Sequence, residues 1–254
     1  MRFQSVSRIP LFAGVVAVGA VLLSAFNRPD LHSEWVKYVG RGGDTVSAYL
    51  VYPERPDPGP AVIVIHEIFG LSDWVRTVAD SLAAAGFVAI APNLLSRRGG
   101  TTNPDTARRV IRDLPPDSIT VDLDATQSYL QELKAVRRDA IGVIGFCWGG
   151  SQSFRYATNN PSLKAAVVCY GGAPDSTTLG RIRAPVFGVY GENDARITAA
   201  VPDVEKAMSA AGKRYTRTIY PGTGHGFLRT REPAGVAAGA WKDVVRFLET
   251  ELGK

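Results

Sequence analysis

Asp139 to Ser151 reads DAIGVIGFCWGGS, and the fold turns on this stretch. The apolar run Ala140–Ile144 has the length and branching of a buried strand, and the glycine-punctuated Gly145–Gly150 after it opens into a helix-like segment. Cys147 lies between Gly145 and Gly149 in the pattern G-x-C-x-G, the cysteine form of the nucleophile elbow. In such an elbow a sharp strand-to-helix turn lifts one side chain to the top of a parallel sheet. The turn is crowded and strained, so its neighbours cannot carry a Cβ without clashing.

Apolar runs and helical spacing alternate on either side. Upstream, Ala61–Ile65 and Phe87–Ala91 predict strands, the second stopped by Pro92, with a helix over Ser72–Ala85 ending at Gly86. Downstream, Lys164–Tyr170, Pro185–Tyr190 and Arg214–Tyr220 predict three more strands, and Val201–Ala211 and Pro233–Leu252 predict helices. Helical spacing also covers Asp105–Asp113 and Ser118–Val136, while the chain from Pro92 to Gly100 reads as loop. At the front, Glu34–Gly40 and Thr45–Tyr52 predict an antiparallel hairpin about Arg41-Gly42-Gly43-Asp44. The alternation implies an α/β fold, a mainly parallel central sheet with helices on both faces. There is no internal repeat, so residues 34–254 read as one domain. Ligands of such sheets bind at the carboxyl ends of the strands.

Three strand ends carry chemistry in chain order: Cys147, then Asp194 after the strand and turn ending Gly191-Glu192-Asn193, then His225 in Gly224-His225-Gly226. Nucleophile, acid and histidine in this order match the α/β-hydrolase arrangement. His225 can take the thiol proton and later give it to a leaving oxygen, while Asp194 fixes the imidazole tautomer. Glu192 is the rival acid, less well placed after the turn. His66 ends a strand on the same face and is a rival histidine, whereas His32 is expected to be exposed near the linker. In α/β-hydrolases the loop after the first buried strand and the residue after the nucleophile supply the oxyanion-hole amides, here those of Ile68 and Trp148. With three histidines far apart and no ligand-spaced cluster, no metal or organic cofactor is expected.

The formal charge is +5, of which Arg2 and Arg8 supply two, and no dense basic run marks a nucleic-acid site. Arg97-Arg98 and Arg108-Arg109 read as solvated faces. The first 26 residues differ from the rest: Arg2 and Arg8 precede the uninterrupted apolar run Leu11–Leu23. That is the pattern of a signal peptide, or of an N-terminal membrane anchor if the segment from residue 9 to residue 26 stays uncleaved. Residues 27–33 read as a linker, and the catalytic body is expected to face an extracytoplasmic space as a monomer. Of the two cysteines, Cys169 ends an apolar run and reads as a small buried hydrophobe, leaving Cys147 free.

Four blocks give the sequence a family likeness: HEIFGL at His66–Leu71, GFCWGG at Gly145–Gly150, GEND at Gly191–Asp194 and GHGFLR at Gly224–Arg229. With them the chain from Glu34 to Leu252 resembles the dienelactone hydrolase (carboxymethylenebutenolidase) family of the α/β-hydrolase fold. The resemblance implies a Cys147-His225-Asp194 triad acting on an ester or lactone through a thioester. It implies that Glu67 holds the resting thiol and releases it when substrate binds. It implies that Arg229 grips a substrate carboxylate, with a second arginine on a helix at Arg108 or Arg109. Asn93 stands where relatives usually carry aspartate, a local structural change. The rival readings are a broader carboxylesterase without dienelactone activity, a noncatalytic envelope binding scaffold, and a thiol redox protein using Cys147.

Overall fold

The computed structural model describes residues 30–40, 43–101 and 103–254. The signal or anchor segment read over residues 1–26 lies outside the described residues, as does the linker up to residue 29. Among the described residues no helix is long and apolar enough to cross a membrane.

Eight strands make one sheet in the order β1-β2-β4-β3-β5-β6-β7-β8. They are β1 Leu31–Val39, β2 Thr45–Pro53, β3 Gly59–Ile65, β4 Val88–Pro92, β5 Val136–Phe146, β6 Ala165–Cys169, β7 Val186–Gly191 and β8 Tyr215–Tyr220. β1 pairs antiparallel with β2, and β2 antiparallel with β4. Every pair from β4 through β3 to β8 is parallel. All residues of β3, β4, β6 and β7 are buried, because helices cover both faces and leave no position for a polar side chain.

Helices α1 (Asp73–Ala84) and α8 (Ala234–Leu252) pack one apolar layer with Val62, Val64, Ile144 and Phe146. The other layer, built on Ile63, Ile65 and Val143, takes α2 (Pro104–Arg112), α3 (Pro116–Glu132), α4 (Trp148–Asn159) and α6 (Val201–Ala210). One-turn helices α5 (Ala195–Thr198) and α7 (Phe227–Thr230) follow β7 and β8 and were not expected from periodicity, which needs more than a single turn to register.

The chain moves from β3 to β4 on one side, then returns to place β5 on the other side of β3. This reversal opens a crevice beyond the carboxyl ends of β3 and β5, where open α/β sheets bind their ligands. The two strands finish level, with Ile65 opposite Gly145, so the His66–Gly70 loop and the Cys147 turn emerge side by side.

Several boundaries differ from expectation. β1 starts at Leu31, inside the expected linker, because Leu31, His32 and Ser33 pair with Pro53, Tyr52 and Val51. His32 is therefore a half-buried strand residue, stacked on Tyr52 at 4.9 Å and bonded to Glu34. α3 ends at Glu132 and β5 begins at Val136, which pairs with Gly59 before the register shifts. The segment after Pro92 holds a short 3-10 turn at Ser96–Arg98, in which Asn93 Oδ1 accepts from the Leu95 amide at 3.1 Å. Arg97 is not solvated: it donates to buried Asp122 at 2.7 and 2.9 Å and pairs with Asp44.

Candidate active site

Cys147 sits between β5 and α4 at φ 58° and ψ −116°, a left-handed conformation that a side chain adopts only under strain. Its amide donates to the carbonyl of Cys169 on β6 at 3.0 Å, which pins the turn to the neighbouring strand. The flanking glycines are required by close approach. A Cβ on Gly145 would lie 1.9 Å from the Gly149 carbonyl oxygen, and one on Gly149 would lie 2.4 Å from that of His66. α4 can thus begin directly against the end of β3. Its first amide, Trp148 N–H, and the amide of Ile68 find no protein acceptor among the described residues.

His225 follows β8 in the loop before α7. Its Nδ1–H donates to Asp194 Oδ2 at 2.5 Å, and the Cys147 side chain is near enough to influence the ring's charge. These two partners, the thiol first, hold the imidazole pKa up at about 9 against the opposing effect of burial. Asp194 is buried at the end of the β7 turn, and its backbone carbonyl accepts from Ile197, Thr198 and the Thr198 hydroxyl, which fixes the acid at the start of α5. Glu192 turns away and accepts from the Gly222 amide at 2.8 Å.

Glu67 is 3% exposed, and burial raises its pKa to about 6 despite the nearby positive charge of Arg229 and His225. Its Oε2 lies 3.6 Å from Arg229 Nε and has no hydrogen bond. The guanidinium of Arg229 is also 4.7 Å above the Phe69 ring, and that of Arg108 on α2 is 4.8 Å from the same ring. Arg109 is exposed and makes no such contact among the described residues. Glu67, expected to hold the thiol, makes no hydrogen bond to it here and faces Arg229 instead, because the guanidinium attracts the buried carboxylate.

His66 is fully buried, donates from Nδ1 to the Glu67 carbonyl at 2.7 Å and stacks on Trp148 at 5.4 Å. Desolvation lowers its pKa to about 4, so it stays neutral and braces the loop. Among the described residues no group of histidine, cysteine and acid side chains could hold a metal.

The sequence profile of the dienelactone hydrolase family matches residues 46–252. The chain belongs to the dienelactone hydrolase family. It is 34% identical over 232 residues to an Escherichia coli K12 protein provisionally named a carboxymethylenebutenolidase, covering 84% of this chain and 85% of the relative. A Methylorubrum extorquens protein with the same provisional name is 32% identical over 215 residues, covering 78% and 74%. A crystal structure from Klebsiella pneumoniae, provisionally named a dienelactone hydrolase, matches with TM-score 0.78 and 28% identity over 86% of this chain and 98% of that one. The fold is thus the α/β-hydrolase fold of this family, and the protein is a dienelactone hydrolase-like hydrolase.

Within that frame the structure brings Cys147, His225 and Asp194 together, with Glu67 and Arg229 beside them. Two further site residues escaped the sequence reading. Phe69 is the ring both arginines share. Tyr170, at φ 40° after β6, has a fully buried hydroxyl without a partner and a ring 5.2 Å from His225. Its position directly after a buried strand, on the catalytic edge of the sheet, is the signal that marks it.

Proposed function

We propose that the protein hydrolyses an ester or lactone bearing a carboxylate, with Cys147 as nucleophile, His225 as proton carrier and Asp194 as its orienting acid. The observation that carries this reading is the strained elbow at Cys147, φ 58°, together with the His225 ring that donates to Asp194 at 2.5 Å and is raised in pKa by the neighbouring Cys147 side chain. A raised imidazole pKa makes His225 a competent acceptor for a proton from a neighbouring nucleophile.

The substrate carboxylate pairs with Arg229, with Arg108 as the second cation on the other contact of Phe69. As the substrate settles, the Cys147 thiol proton passes to His225. The Cys147 sulfur attacks the carbonyl carbon, and the new oxyanion is met by the Ile68 and Trp148 amides. The intermediate collapses as the carbon–oxygen bond to the leaving group breaks and His225 gives that oxygen its proton. Neutral His225 then deprotonates a water that attacks the thioester, and the acid leaves with Cys147 restored. The apolar segment before residue 27 supports an exported placement, periplasmic or extracellular, for this chemistry.

Hydrolysis of a carboxylate-bearing dienelactone beside short neutral p-nitrophenyl esters tests this. Lactone activity lost in Cys147→Ala and raised in KM by Arg229→Gln is expected. Activity on neutral esters alone would leave the cysteine chemistry standing and remove the carboxylate clamp, whereas full activity in Cys147→Ala would sink the nucleophile.

A further inference from the structure

A cavity lies away from the catalytic residues. It occupies about 330 Å³ between α1 and α8 and is lined by Trp74, Phe146, Leu228, Ala237 and Trp241, with exposed Arg231 among them. Cys147, Asp194, His225, Glu67 and Arg229 do not line it. The volume is about twice the ~150 Å³ that accommodates benzene, and it falls within the usual range for small-molecule sites. Trp74 meets Phe146 edge-on, at 4.8 Å and 79°, which gives the cavity a rigid aromatic wall.

The polar groups of the lining are unequal. The hydroxyls of Thr77 and Ser81 donate to carbonyls of α1 itself. The Arg231 guanidinium has no hydrogen bond or ion pair among the described residues. An apolar chamber with one free cation complements an apolar body ending in an anion. The one-turn helix α7 separates this chamber from the catalytic cleft: Leu228 lines the chamber while Arg229 reaches Glu67.

We propose that the cavity between α1 and α8 is a second ligand site, taking an aliphatic or aryl carboxylate whose apolar body fills the Trp74–Trp241 interior and whose carboxylate pairs with Arg231. The site stands independently of the reaction proposed at Cys147. Calorimetric titration of the full chain with decanoate, below its micelle-forming concentration, tests it, with 1-decanol as the neutral comparison.

Saturable one-to-one binding of decanoate is expected. Ala237→Phe fills the chamber and should weaken binding about tenfold or more. Arg231→Gln, at an exposed position that does not support the core, should weaken decanoate up to about fivefold and leave decanol unchanged. Arg229→Gln should leave decanoate affinity as it is. Equal affinity in Ala237→Phe, or in Arg231→Gln, overturns the proposal. Weakened binding in Arg229→Gln does so as well, since it would put the ligand in the catalytic cleft.

Discussion

The two histidines at the site are pushed in opposite directions by their surroundings, and the cause is visible for each. His66 is buried with one carbonyl acceptor and stays neutral, at about 4; His225 has the Cys147 side chain beside it and a carboxylate to bond, and is held at about 9. An NMR titration of the imidazole signals should resolve these two values, and Asp194→Asn should bring the higher one down toward the ordinary histidine range. A His225 titration unmoved by that change would break the Asp194–His225 link. The sign for stability follows: the raised pKa means that the folded state holds this proton longer than the unfolded chain. The contribution is whole below pH 6.5 and fades as pH rises through about 9. Glu67 shows the converse. Its raised pKa places the cost of a buried carboxylate fully above about pH 6 and removes it below 4.5. Glu67→Gln should therefore stabilise the protein by about 2 kcal/mol at pH 8 and by almost nothing at pH 4, measured by urea denaturation. Stabilisation of the same size at both pH values would mean that packing, not ionisation, is at work.

At the scale of elements, the site depends on how closely α4 approaches β3. Gly149 permits that approach, since its missing Cβ would meet the backbone oxygens of His66 and Ile65 at 2.4 and 2.5 Å. Gly149→Ala should push the start of α4 off the His66–Gly70 loop and separate the two amides at Ile68 and Trp148. Loss of one oxyanion donor costs about 10²–10³ in kcat, and a loss of that order is expected here while iodoacetamide still alkylates Cys147. A kcat within about twofold of the parent would show that these amides do not serve the oxyanion. The elbow glycines were legible because steric need leaves a mark at fixed spacing. The pairing of Arg108 rather than Arg109 with Phe69 was not, since neighbouring residues on a helix point about 100° apart and only the packing of α2 decides which faces the loop. Leu31–Ser33 were missed for a similar reason: an edge strand can be largely exposed, and its polar residues read as linker.

For the whole molecule, the sheet itself organises stability, because it separates two apolar layers that share no side chain. Along β3 the alternation is clean: Val62 and Val64 face α1 and α8, while Ile63 and Ile65 face the opposite helices. This architecture was legible from the unbroken apolar runs at Ala61–Ile65 and Ala140–Ile144, which only a strand covered on both faces can carry. Which helix lies on which face was not, because that follows from strand order and crossover handedness rather than from local pattern. Leu82 on α1 and Leu130 on α3 are both fully buried, one in each layer. Each change to alanine should cost about 2–5 kcal/mol. With a layer of backbone between them and no shared partners, the double substitution should equal the sum of the singles within about 0.5 kcal/mol. Denaturant unfolding of the four proteins measures this. A coupling well above that figure would mean that the sheet passes repacking from one face to the other, and the strand ends that hold Cys147 and His66 would then respond to substitutions in either core.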